Sequence, residues 1–276
     1  MPVSEAIFVA GVVIGALMLF TWCVSVPARN ASIVDLVWGV GFAFVALSVA
    51  MRAGAEVAPT WRAGMIVAMV VLWGLRLSGY LALRNSGNGE DSRYVAMRKR
   101  AGRGFWWKSL FTVFILQGVL MWIVSSPVQV ALSRMPTASK NVSVFDSVGA
   151  VLWLVGMFFE TVGDFQLARF KKDPASAGQV MDRGLWKYTR HPNYFGDFCV
   201  WWGIYLLCAN VPAARWFVFG PIVMTVLLTR VSGVPLLEKS MTKRRPGYAD
   251  YVDRTSSFIP RPPRPADAEQ AANNSL

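Results

Sequence analysis

The residues best equipped for chemistry fall in one run, Gly184-Leu185-Trp186-Lys187-Tyr188-Thr189-Arg190-His191-Pro192-Asn193-Tyr194-Phe195-Gly196-Asp197. It holds the only histidine in 276 residues and lies between a basic loop and a strongly apolar segment. Pro192 suits the first turn of a helix, where no amide donor is required. Asn193 and Asp197 are four apart, as are Asp197 and Trp201. A helix therefore gives them one polar face with an indole beneath it. Such a face suits a nucleotide ring or sugar, because carboxylates accept the protons of ribose hydroxyls. Arg190, His191 and the basic loop match a pyrophosphate. Ionisable groups at membrane depth are costly and mark functional sites by default.

Further polar groups interrupt other apolar segments. Asp35 opens the second one, in Asp35-Leu36-Val37-Trp38-Gly39. It serves either as a negative charge at a helix N-terminus or as an acid lining a cavity. Arg76 and Tyr80 are four apart in the third segment, and Arg84 continues the same stripe. Arg84 can snorkel to water; Arg76 lies deeper and needs a carboxylate, for which Asp35 is the nearest candidate. The loop Gly87-Asn88-Gly89-Glu90-Asp91-Ser92-Arg93-Tyr94 carries more polar chemistry than a linker needs, although a solvated turn with a helix cap also accounts for it. Glu160, Asp164 and Lys171 share one face of the fifth segment, and Lys172 and Arg169 add charge at its end. The Lys-Lys-Asp-Pro loop that follows suits phosphates. Arg230 and Glu238 stand eight apart near the end of the last segment, where a buried ion pair is the simplest role. Tyr248 and Tyr251 follow a Pro-Gly turn and read either as a lid over the same site or as an amphipathic helix lying on the membrane.

The elements that must position these groups are membrane helices. Hydrophobic residues make up 54% of the chain and charged ones 16%, with a mean hydropathy of +0.41. Seven apolar stretches approach the roughly 20 residues needed to cross a hydrocarbon core, near 6–26, 32–51, 61–83, 108–132, 146–168, 194–210 and 214–237. Backbone groups in lipid must pair internally, so these are predicted as helices of an all-α, seven-transmembrane bundle. The alternation of an outer-membrane barrel is missing. Glu5 and the absence of an early Lys or Arg argue for a retained first helix rather than a cleaved signal.

The net charge is +12, and its distribution carries the information. Twenty-one of the 28 Lys and Arg residues fall in 84–108, 169–193, 238–276 and at Arg29; Arg52, Arg62, Arg134, Lys140 and Arg215 fall on the opposite side. The positive-inside rule then predicts an outside N-terminus and a cytoplasmic C-terminus. This basicity suits topology and anionic lipid, not nucleic acid. Cys23, Cys199 and Cys208 all lie in apolar segments without the spacing of a disulfide framework or a metal motif. A single histidine rules out a multi-histidine metal site. Residues 1–260 are expected to form one transmembrane catalytic domain, and 261–276 a disordered cytoplasmic tail.

Together these pieces resemble the microbial branch of the steroid 5-alpha-reductase-like membrane proteins, long catalogued as a domain of unknown function. The resemblance rests on Asp35-x-x-Trp38-Gly39, the Arg76…Tyr80…Arg84 stripe, Gly89-Glu90-Asp91-x-Arg93-Tyr94, Gly184-Leu185-Trp186…Arg190-His191-Pro192-Asn193-Tyr194, and Glu238 with Tyr248 and Tyr251. These span about residues 33–260. The resemblance implies a helix bundle that binds NADPH in a cytoplasm-facing cavity and takes a lipid-like enone from the bilayer. It places cofactor-binding positions at Asp164, Lys171, Asn193, Asp197 and Arg230, with Tyr80 where a cofactor-contacting tyrosine occurs; the reading of the residues above adds Arg76, Lys172, Arg190, His191, Tyr194, Trp201, Glu238, Tyr248 and Tyr251 to the expected cofactor site. Two departures stand out. Trp73 occupies the position of the steroid enzymes' proton-donating tyrosine, and indole is no general acid. Asp197 replaces a longer glutamate.

The expected reaction is reduction of an activated carbon–carbon double bond. Asp35 with Tyr80 or Tyr94 would polarise the carbonyl or supply the proton, and the cofactor carries the remaining chemistry. A second resemblance, to isoprenylcysteine and phospholipid methyltransferases, covers about residues 184–252 through the Arg-His-Pro-x-Tyr stretch and a downstream glutamate. It implies S-adenosylmethionine instead. A non-enzymatic assembly or transport factor is a third class, against which the lack of inverted repeats argues. The expected location is a bacterial inner membrane.

Overall fold

The computed structural model describes residues 1–55, 60–87, 89–135, 141–231 and 247–264. The described residues form helices and no strands. In chain order these are α1 (Val3–Ala28), α2 (Ile33–Gly54), α3 (Trp61–Asn85), α4 (Ser92–Ala101), α5 (Phe105–Ser109), α6 (Leu116–Val124), α7 (Ser126–Arg134), α8 (Val144–Lys172), α9 (Pro192–Cys208), α10 (Phe219–Val226) and α11 (Tyr248–Arg254). Six helical stretches among the described residues are long and apolar enough to cross a membrane: Val3–Ala28, Ile33–Gly54, Trp61–Asn85, Ser92–Val124, Val144–Lys172 and Pro212–Val231. The protein is thus all-α and membrane-spanning. Helix α9, expected as a further span, has 17 residues. At about 1.5 Å per residue it is slightly shorter than a hydrocarbon core of about 30 Å.

Two boundaries differ from the sequence expectation for physical reasons. The fourth span begins near Ser92, not 108, because Asp91 caps α4 by accepting from the Arg93 N–H. The basic stretch after it is helical, with a π-helical turn at Leu110–Ile115. That span then stops at Val124. Pro127 cannot donate a backbone hydrogen bond, and it starts the separate, buried helix α7. A second π-helical turn, Leu227–Val231, holds Arg230.

The chain forms two compact units. Unit 1 is Met1–Val151 with Trp202–Val223, and unit 2 is Leu152–Trp201 with Met224–Leu276. In unit 1, α2 and α3 approach until their backbones touch. A Cβ on Gly39 would collide with the Gly74 carbonyl oxygen, and a Cβ on Gly74 with that of Gly39. Small residues at helix contacts are the usual means of close packing in lipid. Phe42 and Trp73 pack edge to face beside them, their ring centroids 5.5 Å apart. Near the start of α8, Arg62 and Asp146 form a buried two-pronged ion pair, with both hydrogen bonds at 2.7 Å. Asn210 also donates to Asp146, at 3.0 Å. Arg62, counted from sequence among the loop charges opposite the basic side, is 1% exposed, because this carboxylate compensates it.

In unit 2, α8 and α9 make a similar approach through Gly156 and Gly196. The C-terminal stretch is strapped onto the segment before α9. Thr189 Oγ1 donates to the Phe258 carbonyl at 2.8 Å, and the Arg261 N–H donates to the Tyr188 carbonyl at 3.0 Å. The Arg264 N–H donates to the Arg254 carbonyl at 2.9 Å. Backbone bonds thus hold the chain as far as Arg264.

Candidate functional site

The Glu90–Tyr94 loop of unit 1 is stitched onto the turn between α1 and α2. Glu90 Oε1 accepts from the Ala31 N–H at 2.7 Å, and the Asp91 N–H donates to Ser32 Oγ at 3.0 Å. Arg98, two turns along α4, grips Glu90 with two hydrogen bonds of 2.9 and 2.7 Å. Burial acts to raise the Glu90 carboxyl, but the hydrogen bonds from Arg98 and Ala31 outweigh it and hold the group below its ordinary range. Asp91 is likewise held low, since its bonds from Arg93 exceed the effect of burial.

These ties bring α4 against the first turn of α2. Tyr94 Oη donates to Asp35 Oδ1 at 2.6 Å, and Arg93 Nη2 donates to Asp35 Oδ2 at 2.8 Å. Gln117 Nε2 donates to Tyr94 Oη at 3.1 Å. The tyrosine hydroxyl is thus fixed between a carboxylate and an amide, and Tyr94 is 5% exposed. Arg93 is about half exposed, which connects this cluster to solvent. The expected Asp35–Arg76 pairing is replaced by Asp35 with Arg93 and Tyr94. Asp35 sits in the first turn of α2, at the level of the Glu90–Tyr94 loop. Arg76 lies instead over the Tyr80 ring, 5.7 Å from its centroid, with Arg84 at 6.0 Å. The Arg76, Tyr80, Arg84 stripe thus exists as a cation–π stack. Gln117 was not picked out from sequence. A single amide within an otherwise apolar span, two residues after a π-helical turn, was the available signal.

Unit 2 gathers most of the remaining residues. Asn193 Nδ2 donates to Asp164 Oδ1 at 3.2 Å, joining the start of α9 to α8. The rings of His191 and Tyr194 stack with centroids 5.4 Å apart. Glu160, Asp164, His191 and Trp201 are buried, and Asp197 is half-buried. Lys171 and Lys172 are exposed at the end of α8. Arg190 Nη1 donates to the carbonyls of Val252 at 2.9 Å and Thr255 at 2.5 Å, so this guanidinium helps to anchor the C-terminal strap. Tyr251 Oη donates to the Trp186 carbonyl at 2.6 Å, and Tyr248 and Tyr251 are both buried. Burial pushes the Tyr251 hydroxyl up. Arg230 is exposed, and Glu238 lies outside the described residues.

Gly184 permits this arrangement. Its φ is +60°, and a Cβ there would run into the Gln166 side chain, whose oxygen accepts from the Leu185 N–H at 3.0 Å.

The family described as "Protein of unknown function (DUF1295)" matches residues 21–255. The chain belongs to that family. The match takes in both the Asp35–Tyr94 cluster and the Gly184–Asp197 run. An uncharacterized protein of Schizosaccharomyces pombe is 27% identical over 282 residues, covering 90% of this chain and 79% of the relative. The rat protein 3-oxo-5-alpha-steroid 4-dehydrogenase 1 is 32% identical over 82 residues, 30% of each chain. No solved structure matches the chain. This DUF1295 protein thus shares a partial similarity with that rat steroid dehydrogenase.

Proposed function

We propose that this DUF1295 protein is a membrane-embedded NADPH-dependent reductase of an activated carbon–carbon double bond in a steroid-like or other lipid. The observation that carries the reading is the Tyr94 hydroxyl held between Asp35 and Gln117, a buried group with a transferable proton. The partial similarity to the rat 3-oxo-5-alpha-steroid 4-dehydrogenase 1 supports it.

The donor set of unit 2 fits a dinucleotide. Asp164, Asn193 and Asp197 suit ribose hydroxyls. Arg190, Lys171 and Lys172 suit phosphates. Arg76, His191, Tyr194, Trp201, Arg230, Glu238, Tyr248 and Tyr251 complete the proposed cofactor set. These residues would hold NADPH, whose chemistry there would be hydride donation to the double bond. Tyr94 supplies the proton to the substrate. Asp35, hydrogen-bonded by Arg93 and Tyr94, orients the Tyr94 hydroxyl and relays the replacement proton from the solvent side. Tyr80, under Arg76 and Arg84, positions substrate or cofactor by its ring. Apolar helix surfaces exclude water around the reacting atoms.

The proposal includes seven spans, with α9 among them, an outside N-terminus and a site facing the cytoplasm. A methyltransferase using S-adenosylmethionine is the competing reading. The Tyr94–Asp35 pair favours the reductase, because methyl transfer adds no proton to its substrate. Cofactor binding to the purified protein tests this, with thermal unfolding followed alongside NADPH, NADH and S-adenosylmethionine. A ligand that binds only the folded state raises the transition temperature. The reductase predicts a rise with NADPH, and a rise with S-adenosylmethionine alone overturns it.

A further inference from the structure

Unit 2 carries a second basic cluster that the proposed reaction does not use. An open cavity of about 460 Å³ lies between the turn Asp182–Lys187, the end of α11 and the stretch at Pro263 and Arg264. That is within the roughly 300–1,000 Å³ of small-ligand sites. Four cationic side chains line it, Arg183, Lys187, Arg254 and Arg264, against the single carboxylate of Asp182. Arg254 Nη2 donates to Asp182 Oδ2 at 2.6 Å, and both side chains remain partly exposed.

Excess positive charge beside membrane helices often reflects topology alone. Here the walls are pinned by the main chain. The Arg264 N–H donates to the Arg254 carbonyl, so these two cations are fixed as neighbours. The Arg261 N–H and Thr189 Oγ1 bind the same terminal stretch to the segment carrying Lys187. The Tyr251 hydroxyl fixes α11 to the Trp186 carbonyl, one residue before Lys187. Gly184, at positive φ, sets the turn between Arg183 and Lys187. A charge serving orientation only would need none of these ties.

We propose that this cavity binds a phosphate group, carried either by an anionic phospholipid headgroup or by a soluble phosphate ester. Arginine forks match phosphate oxygens in pairs, and basic pockets at the ends of membrane helices suit anionic headgroups. Arg183, Lys187 and Arg264 take the anion. Arg254 turns from Asp182 to join them. Asp182 is then the brake on binding, since its carboxylate competes with the phosphate for Arg254. This inference does not rest on the reductase reading.

Two arms test it on the full chain. In detergent at fixed ionic strength, inorganic phosphate and pyrophosphate are titrated against chloride while thermal unfolding is followed. In nanodiscs containing phosphatidylglycerol, lipid retained on release is counted by native mass spectrometry. The R254Q/R264Q double variant should weaken anion binding about tenfold, and D182N should strengthen it by a similar factor. A gain in D182N cannot arise from misfolding. Phosphate binding without lipid retention assigns a soluble ester. Retained phosphatidylglycerol that phosphate displaces assigns a headgroup. Identical behaviour of wild type, R254Q/R264Q and D182N in both arms overturns the proposal.

Discussion

Tyr94 donates its hydroxyl proton to Asp35 across 2.6 Å, although the two stand 59 residues apart on different helices. The contact exists because the Glu90–Tyr94 loop is anchored to Ala31 and Ser32, which sets α4 against the first turn of α2. Tyr94→Phe removes one oxygen and leaves the ring packing. It should lower turnover by about 10²–10⁴-fold, the usual scale for a general acid, while NADPH binding persists. Asp35→Asn should also abolish turnover and leave NADPH binding largely intact. Paired activity and cofactor-titration measurements check both, and loss of cofactor binding in Asp35→Asn would remove its assigned role.

The Glu90 clamp gives the site a pH dependence with a defined sign. Its carboxyl is held below the ordinary value of 4.5 by Arg98 and Ala31. The unfolded chain therefore takes up the proton first as pH falls. Stability from this group is fully present above about pH 4.5 and is lost as pH drops through the lower folded value. Thermal unfolding between pH 3 and 7 should show a decline at the acid end. Glu90→Gln should be less stable than wild type at neutral pH, with the difference shrinking at the acid end.

Gly39 and Gly74 meet backbone to backbone between α2 and α3. Alanine at either position must push the helices apart, and overpacking of this kind costs about 1–3 kcal/mol. A lowered unfolding temperature in detergent is expected for each. Because Gly39 is one turn from Asp35, activity should fall along with stability. Gly15→Ala, where a Cβ meets nothing within 4 Å, is the control and should be neutral.

The buried Arg62–Asp146 pair predicts an asymmetry. Asp146→Ala leaves a buried guanidinium without its carboxylate and should cost about 3–5 kcal/mol. Replacing both residues with apolar side chains of similar volume, as in Arg62→Met with Asp146→Leu, should be far milder. Thermal unfolding of the single and double variants decides this, and equal losses would contradict the ion-pair account.

The long helices were legible in the sequence because lipid demands about 20 apolar residues and leaves the backbone no alternative. Asp35, Glu90, Asp91 and Tyr94 were legible because polar groups beside such segments are few. Their pairing was not. Arg76 was the nearest carboxylate partner along the helices, but the loop supplies Arg93 instead, a contact that only the tertiary stitch to Ala31 creates. Arg62 read as a loop charge because burial of an arginine depends on Asp146, 84 residues away. The helix at Ser92 was masked by the basic residues that follow it, and the break at Ser125 was available in Pro127 but outweighed by the apolar run around it.

The central claim is hydride transfer from NADPH to a lipid, and isotope transfer tests it most directly. Purified protein is incubated with a membrane lipid extract, NADPH carrying deuterium at the transferable position, and S-adenosylmethionine carrying a labelled methyl group. Lipid products are then read by mass spectrometry. The account predicts a lipid that gains one deuterium from the cofactor in wild type but not in Tyr94→Phe. A lipid that gains the labelled methyl group, with no deuterium incorporated, would contradict it.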